Sequence, residues 1–341
     1  MVPSSDIWIA SSRADLLAGA EDRVIVSPGD ARSGSVFERV TIAGERYFAK
    51  TLGYRTDWIM RITGDRDLRT LKIWRAGIMT DVPREIDHAV VGMAVDGEGD
   101  DALLTIVMRD VGAYLIPEGD DAISLATHLG LMDGLAALSA RYWGWRDDLG
   151  LTTMEERLRF FAPDNIAAEA AVEQPPLPIA VATQGWPRLA ELAPPLAGLL
   201  AAIHSDPAPL ADAMRATPAT FLQGDWKMGN LGMHPDGRTI LLDWAYPGAG
   251  PVLWDLAWYL ALNSARLPIS KEATIDALRA ALEHHGVSTE GWFELQLDLC
   301  LLGMTACFGW EKAMSGADEF AWWERHAIDG ARHVAAHYPV P

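Results

Sequence analysis

Cysteine is scarce in this chain of 341 residues, which has only Cys300 and Cys307. Seven positions apart on a predicted helix, the two lie on one face, which favours buried thiols over a redox or metal role. Long apolar runs are also missing, since the densest, Leu299 to Phe308, is about half of what a membrane span requires. Residues 1–6 show no basic or apolar stretch of a secretory signal. These shortages predict a cytoplasmic protein with no membrane partner.

Positive charge is in short supply as well. Lysine and arginine number 28 against 47 aspartates and glutamates, which gives a net charge of −19 at pH 7. Nucleic acids and anionic membranes are bound through basic surface, so the balance argues against both as partners. It is compatible with a cationic ligand, although an acidic surface more commonly serves solubility.

Apolar residues are plentiful, at 50% of the chain, which is ample for the core of a globular protein. Alternating patterns predict strands at 22–26, 36–42, 45–50, 86–93 and 102–109. One helix is predicted between them at about 56–76. Further helices are predicted at 125–145, 153–172, 188–204, 254–264, 271–285, 290–314 and 318–337. This order predicts an α+β protein with two lobes, a small β-sheet lobe with one helix and a large, mainly helical lobe.

The most informative segment runs from Gln223 to Asn230, with the sequence Gln-Gly-Asp-Trp-Lys-Met-Gly-Asn. A turn at 235–237 (Pro-Asp-Gly) follows, and then an apolar strand that ends in Asp243. One short hairpin is therefore expected to carry two carboxylates, Asp225 and Asp243, and an amide on its two arms. Oxygen ligands in this arrangement suit a Mg²⁺ that keeps its waters and bridges phosphates, beside a general base.

The order Gly-Asp-x-x-x-x-Asn, followed by a strand ending in Asp-Trp, resembles the aminoglycoside phosphotransferases and choline kinases, which have a protein-kinase-like fold. The resemblance implies that Asp225 is the catalytic aspartate and that Asn230 and Asp243 bind magnesium. The family usually has His where this chain has Gln223, whose amide is expected to alter the anchoring of the loop without loss of chemistry. The implied activity is transfer of the γ-phosphate of ATP or GTP to a hydroxyl of an amino sugar, an aminoglycoside or a similar metabolite.

The same resemblance implies roles for charged residues around the triphosphate. Lys50 stands where the family has the lysine that binds the α- and β-phosphates. Asp67, with Asp65 as the alternative, stands about where an acidic residue orients that lysine. Lys227 would offset the charge that develops on the transferred group, as a lysine at this place does in protein kinases.

Backbone groups are expected to bind the nucleotide at two places. The turn of the first hairpin would offer its N–H groups to phosphate oxygens, and the connector between the lobes would meet the adenine. The residues concerned are Ser33, Gly34, Ser35, Met108 and Asp110.

The resemblance covers nearly the whole chain and implies how it is divided. The expected parts are an N-terminal nucleotide-binding lobe at 1–107, a hinge at 108–112 and a helical lobe at 113–341. Within the helical lobe are expected a catalytic loop at 223–230, a metal loop at 243–250 and acceptor-binding helices at about 145–220.

Other carboxylates in the helical part have structural interpretations. Asp255 is expected to cap its helix and to hydrogen-bond the catalytic loop. Four acidic residues would meet an amino group of the acceptor, or would equally be solvated carboxylates at helix starts. They are Asp147, Asp148, Glu155 and Glu156.

The 14 tryptophans invite an aromatic pocket for a sugar or a cation. Trp254 and Trp258, four positions apart on a predicted helix, are spaced as core residues are. Trp143, Trp145 and Trp226 are better candidates for facing the cleft.

Two alternatives to this activity remain open. A kinase for choline-like amino alcohols would carry the same motifs, and a catalytically silent nucleotide-binding scaffold would explain the departures at Gln223 and Asp67. A protein kinase is disfavoured, because the segment from Asp243 to Asp255 is too short for an activation loop and Gly224 replaces the usual Arg. The choice between ATP and GTP and the oligomeric state stay open.

Overall fold

The computed structural model describes residues 8–27, 33–172 and 174–338. Its strands are β1 (Trp8–Ala10), β2 (Ala20–Val26), β3 (Val36–Ile42), β4 (Glu45–Gly53), β5 (Ile86–Asp87), β6 (Val90–Asp96), β7 (Leu103–Arg109), β8 (Ala219–Leu222), β9 (Leu231–Met233), β10 (Thr239–Leu241) and β11 (Gly248–Pro251). Its first helices are α1 (Arg13–Leu16), α2 (Trp58–Ile62), α3 (Arg69–Arg75), α4 (Leu125–Arg141), α5 (Met154–Leu158), α6 (Pro163–Ala170) and α7 (Leu177–Leu192). The later helices are α8 (Pro194–Ser205), α9 (Ala208–Arg215), α10 (Trp254–Asn263), α11 (Lys271–His284), α12 (Phe293–Lys312) and α13 (Ala317–Arg332).

The N-terminal strands form a six-stranded sheet in the order β1-β6-β7-β4-β3-β2. All neighbours are antiparallel except β1, which runs parallel to β6. Val40 of β3, Ala49 of β4 and Val107 of β7 are buried together with Leu16 of α1 in one apolar cluster. The sequence missed β1, because three residues are too few to show a period of two.

Two sequence predictions within this region are wrong. The strand expected at 86–93 is broken between β5 and β6, where Ala89 has φ +55° and its N–H is bound by the Asp87 carboxylate at 3.0 Å. The single helix expected at 56–76 is two short helices, α2 and α3. Gly64, at φ +67°, takes the left-handed conformation that ends α2, and Leu68 at φ +56° precedes α3.

Residues fall into two compact units. The first comprises residues up to 134 together with 227–246 and 265–268, and the second comprises 135–226, 247–264 and the chain from 269 onward. This division does not coincide with the one expected from the sequence. The segment 227–246 belongs to the first unit because β10 pairs in parallel with β5, in the small sheet β5-β10-β9.

The second unit is mainly helical and is organised around α12, which is buried along nearly its whole length. Helices α7, α10 and α13 pack against it, and all-round apolar composition is what such a central position requires. Cys300 and Cys307 are buried, free thiols on α12, as predicted, and burial raises the pKa of both. Among the described residues, no helix is both long enough and apolar enough to cross a bilayer.

The helix predictions for the second unit are correct in location for α10 to α13 and wrong in detail elsewhere. The segments expected at 153–172 and 188–204 each contain a break, because Pro163 and Pro194 start new helices, α6 and α8. Helix α7 begins at Leu177 and tolerates Pro187 in its interior, and α9 was missed. A two-stranded sheet of β8 and β11 leads into the loop that begins at Gln223.

Candidate active site

The predicted hairpin is present in the first unit and places Asn230 and Asp243 at the same end. Strands β9 and β10 pair with Leu231 opposite Leu241, and the Leu242 N–H continues the pairing by donating to the Asn230 carbonyl at 2.9 Å. Asn230 is buried, and Asp243 follows directly on the other arm. Two oxygen-bearing side chains therefore start from adjacent positions of one rigid element.

Asp243 has an unusual backbone conformation, with φ +55°. Left-handed conformations cost energy for residues other than glycine, least for Asp and Asn, and persist where the surroundings fix them. Here the Thr70 hydroxyl of α3 donates to the Trp244 carbonyl at 3.0 Å, and the Trp244 indole N–H donates to the Leu241 carbonyl at 3.0 Å. These contacts hold the turn that aims the Asp243 side chain.

Lys50 lies on β4, a central strand between β3 and β7, and is only 7% exposed. Its Nζ donates to Oδ1 of Asp243 at 2.8 Å and lies 5.9 Å from the centre of the Phe37 ring. Lys50 is therefore shielded from solvent in the middle of the sheet. Its nearly buried ammonium is paired with a carboxylate 193 positions along the chain.

The electrostatics of Asp243 favour its ionised form. Burial acts against ionisation, but the charge and hydrogen bond of Lys50, with the charge of Lys227, lower the pKa of Asp243 below its ordinary value. The donor set of one carboxylate and one side-chain amide, from Asp243 and Asn230, fits Mg²⁺, which binds hard oxygen ligands and keeps part of its shell for water and phosphate.

Asp67, expected to orient Lys50, is not brought to it. The Asp67 side chain is 73% exposed and pairs with Lys72 at 3.1 Å. Asp65, the alternative, is buried and accepts the backbone N–H of Arg69 at 3.0 Å at the start of α3, and burial raises its pKa. Because the chain breaks between α2 and α3, both carboxylates bind groups close to them in the sequence. The partner of the Lys50 ammonium is Asp243 instead.

Replacement of Asp67 by asparagine is accordingly expected to leave the protein almost unchanged. Exposed ion pairs contribute about 0–1 kcal/mol, so the free energy of unfolding should fall by no more than that. Urea unfolding and the KM for nucleotide measure the two effects. A tenfold rise in that KM would show that Asp67 acts on Lys50 after all.

The turn at Ser33, Gly34 and Ser35 is anchored to the start of α2. The Ser35 hydroxyl donates to Asp57 at 2.9 Å, and the Ser33 hydroxyl donates to the Ser35 hydroxyl at 2.9 Å. A side chain at Gly34 would collide with the carbonyl of Thr56, so the close approach requires glycine. Phosphate binding by the N–H groups of this turn stays a prediction. The preceding residues, 28–32, lie outside the described part of the chain.

The segment expected to connect the lobes, 108–112, comprises the end of β7 and the residues that follow it. Met108 is buried and pairs with Phe48 of β4. The Asp110 N–H donates to the Arg46 carbonyl at 3.3 Å, and its carboxylate lies 3.6 Å from Nε of Arg46 and accepts the Gly112 N–H at 3.2 Å. Asp110 thus stabilises the strand exit, and adenine binding by this segment stays a prediction.

In the second unit, the loop that carries Asp225 is held by side chains on both sides. Oε1 of the buried Gln223 accepts the backbone N–H of Asp225 at 2.8 Å, and Oδ2 of Asp255 accepts the Gly224 N–H at 3.3 Å. Gln223 therefore anchors the loop through its amide, in the manner expected of a substitute for His. The half-buried Asp225 side chain accepts the indole N–H of Trp258 at its Oδ1, at 2.9 Å.

The Trp258 contact was missed in the sequence. Trp258 follows Asp255 by three positions on α10, and its spacing from Trp254 matched a core residue. It is indeed buried, but its polar edge faces Asp225. The one signal that could have revealed the contact is general: the N–H group of a buried indole normally finds a hydrogen-bond acceptor.

Asp255 was expected to contact the loop at 223–230 and does so, but it is not the residue that caps its helix. Helix α10 begins at Trp254, and its N-cap residue is Leu253. Asp255 is buried in the first turn, and burial raises its pKa to about 6, against the opposing charge of Arg157 and the hydrogen bond from the loop.

The raised pKa makes a prediction about stability. A carboxyl whose pKa is about 6 in the folded state and 3.8 in the unfolded state contributes fully below pH 3.8 and loses that contribution as the pH rises through 6. Replacement of Asp255 by asparagine removes this dependence. Relative to wild type, the variant should gain about 2 kcal/mol in free energy of unfolding between about pH 4.5 and about pH 7.5. Urea titrations at both pH values measure the change, and a constant difference between the two proteins would refute it.

The tryptophan predictions have mixed outcomes. Trp226 is completely buried, so the expectation that it faces a cleft is wrong. Trp143 is exposed and contacts Trp292, with ring centres 5.7 Å apart. Trp145 is half-buried and meets Phe221 edge-on at 5.3 Å.

Three of the four acidic residues proposed for an amino group serve local structure. Asp147 accepts two backbone N–H groups of the following turn, at 2.8 and 2.6 Å. Glu156 completes a capping box at the start of α5, and Glu155 pairs with Arg215 at 2.7 Å. The structural interpretation of these carboxylates is the one that their contacts favour.

The comparisons with known proteins bear on the fold. No protein-family model matches the chain, and no curated protein matches it. The microcompartment-associated aminopropanol kinase is 12% identical, with 93% of this chain and 94% of that chain covered and a TM-score of 0.53. LicA in complex with AMP is 13% identical, with coverage of 93% and 94% and a TM-score of 0.51. Another LicA structure, described as a choline kinase from Streptococcus pneumoniae, is 13% identical, with coverage of 95% and 96% and a TM-score of 0.47.

The chain therefore has the protein-kinase-like fold of these kinases over almost its entire length. The resemblance recognised in the segment from Gln223 to Asp243, and the α+β fold class predicted with it, are confirmed. At 12–13% identity the likeness establishes the fold, and the activity has to be argued from the residues.

Proposed function

We propose that this chain is a Mg²⁺-dependent phosphotransferase that moves the γ-phosphate of ATP or GTP to a hydroxyl of a small molecule, in the cytoplasm. The observation that carries the proposal is the pair formed by Lys50 and Asp243, at 2.8 Å, beside Asn230. In this fold, a nearly buried ammonium next to an ionised carboxylate and an amide is the arrangement that binds a triphosphate together with its metal ion.

The residues proposed to bind the nucleotide and its metal ion lie in the first unit. The Lys50 ammonium would bind phosphate oxygens, and Lys227 would offset charge on the transferred group. Asn230 and Asp243 would hold the magnesium ion, which when bound neutralises charge on the phosphate oxygens. These roles need groups that are positioned before the reaction, which the rigid hairpin and the contact from Thr70 supply.

The acceptor is activated by Asp225. Its carboxylate takes the proton of the acceptor hydroxyl as the oxygen forms its bond to the γ-phosphorus. The bond between that phosphorus and the bridging oxygen breaks, and the nucleoside diphosphate leaves with the electron pair. Gln223 and Asp255 keep the loop main chain in place during this step.

Amino sugars, aminoglycosides and similar hydroxylated metabolites are the proposed acceptors, on the strength of the motif resemblance. An amino alcohol is the second candidate, and a specific finding favours it. The structure compared at a TM-score of 0.53 is that of an aminopropanol kinase. The local contacts of Asp147, Glu155 and Glu156 lend no support to selection of a cation by those carboxylates.

A coupled assay of nucleoside diphosphate release tests the proposal. The panel contains aminoglycosides, amino sugars, choline and aminopropanol, and nucleosides, each with ATP or GTP and with or without Mg²⁺. At least one acceptor should stimulate release in a Mg²⁺-dependent way, and the Asp225→Asn variant should not respond. Nucleotide binding without stimulation by any acceptor would favour the silent scaffold instead.

A further inference from the structure

Trp258 makes a contact that the proposed chemistry does not by itself explain. Its indole Nε1–H donates to Oδ1 of Asp225 at 2.9 Å, across 33 positions of sequence within the second unit. An indole N–H can only donate, and a donor to an ionised acceptor forms one of the stronger hydrogen bonds in proteins. The contact therefore holds one oxygen of the side chain that the proposed reaction uses as its general base.

The indole is held so that it cannot turn away. Trp258 lies on α10 and is buried. Its ring meets Phe308 edge-on, with centres 5.0 Å apart at 77°, and Phe160 at 5.9 Å and 38°. Close packing on its faces fixes the direction of the N–H group.

Other contacts in the loop fix the main chain and leave a separate task for Trp258. Gln223 binds the N–H of Asp225, and Asp255 binds the N–H of Gly224. Neither contact sets the rotation of the Asp225 side chain about its own bonds. The hydrogen bond at Oδ1 restrains this rotation and with it the direction in which Oδ2 points.

We propose that Trp258 is a positioning residue for the general base: it orients the Asp225 carboxylate toward the acceptor hydroxyl. This inference rests on the proposed function and adds a residue to it. Because loss of a hydrogen bond to a charged group is costly and misplacement of a base slows proton transfer, Trp258→Phe should lower kcat by about 10- to 100-fold. The KM for nucleotide should stay nearly constant, since Trp258 acts through Asp225.

The matched control is Trp254→Phe. Trp254 lies one turn earlier on α10 and is completely buried, and its indole N–H has no hydrogen-bond partner among the described residues. Both variants lose the same atoms from the same helix, so their melting temperatures report the shared cost of the cavity. The kcat of Trp254→Phe should remain within about twofold of wild type once both proteins are measured well below their melting temperatures.

A double-mutant cycle separates positioning from general damage. In the Asp225→Asn background, introducing Trp258→Phe should change the residual kcat by less than about twofold, because the carboxylate on which it acts is gone. An equal loss in both backgrounds, or equal kcat values for Trp258→Phe and Trp254→Phe, would overturn the assignment.

Indole ¹H–¹⁵N spectra test the contact without turnover. The Trp258 signal, assigned from its absence in Trp258→Phe, should shift in Asp225→Asn, while the Trp254 signal should not. An unmoved Trp258 signal, in an active wild type, overturns this inference alone. A wild type that turns over none of the acceptors overturns the proposed function and this role with it.

Discussion

Replacement of Asp225 by asparagine is expected to lower kcat by about 10²–10⁴-fold. Asparagine keeps the shape of the side chain and an oxygen that can accept the Trp258 indole N–H, but it cannot take the proton of the acceptor hydroxyl. The KM for nucleotide should change little, because the residues that we propose to bind the triphosphate lie in the first unit. Steady-state kinetics with the best acceptor measure both quantities.

The control for this experiment is Asp276→Asn. Asp276 is exposed on α11 in the same unit as Asp225, and its replacement changes the net charge by the same amount. Its kcat should stay within about twofold of wild type, as expected for a surface substitution. Near-normal turnover by Asp225→Asn would remove the general base from the mechanism.

Replacement of Asp243 by asparagine is expected to abolish the Mg²⁺-dependent part of nucleotide binding and to lower turnover by about 10²–10⁴-fold. Asparagine tolerates the left-handed backbone at this position, so the change removes charge and not conformation. Thermal shifts with nucleotide, measured across a Mg²⁺ titration, report the binding effect. In the wild type the shift should grow with Mg²⁺, and in the variant it should not.

Asp236→Asn is the matched control within the same hairpin. Asp236 lies in the turn, where its exposed carboxylate pairs with Arg238 at 2.8 Å. Its loss should leave the Mg²⁺ dependence of the nucleotide shift intact, because this exposed pair lies in the turn, at the opposite end of the hairpin from Asn230 and Asp243. If Asp243→Asn behaved as this control does, the metal site would have to lie elsewhere.

The parts of the fold that the sequence predicted are those set by local pattern. Alternation placed β2, β3, β4 and β7, and the Pro-Asp-Gly turn placed the hairpin of β9 and β10. The breaks that were missed depend on single backbone conformations. The left-handed Gly64 and Leu68 divide a stretch whose apolar spacing is helical throughout, so periodicity alone joined α2 and α3.

The parts of the candidate site that the sequence missed are contacts between distant positions. Lys50 and its partner Asp243 are 193 residues apart, and Trp258 is 33 residues from Asp225. A motif names the residue types for such contacts, but packing decides which carboxylate reaches the ammonium. For the same reason Asp67 matched the expected position and yet faces solvent beside Lys72.

The ammonium of Lys50 and the carboxylate of Asp243 neutralise each other when no polyphosphate is present. Under the proposed function, phosphate oxygens that draw the ammonium toward themselves would reduce the positive charge next to the carboxylate, and a divalent ion would then be attracted to Asp243 more strongly. Reciprocity requires that the ion, once bound, tighten the hold on the polyphosphate to the same degree. The exchange of partners by the Lys50 side chain would thus couple the two binding steps, so that the nucleotide and the metal ion would each bind more weakly in the absence of the other.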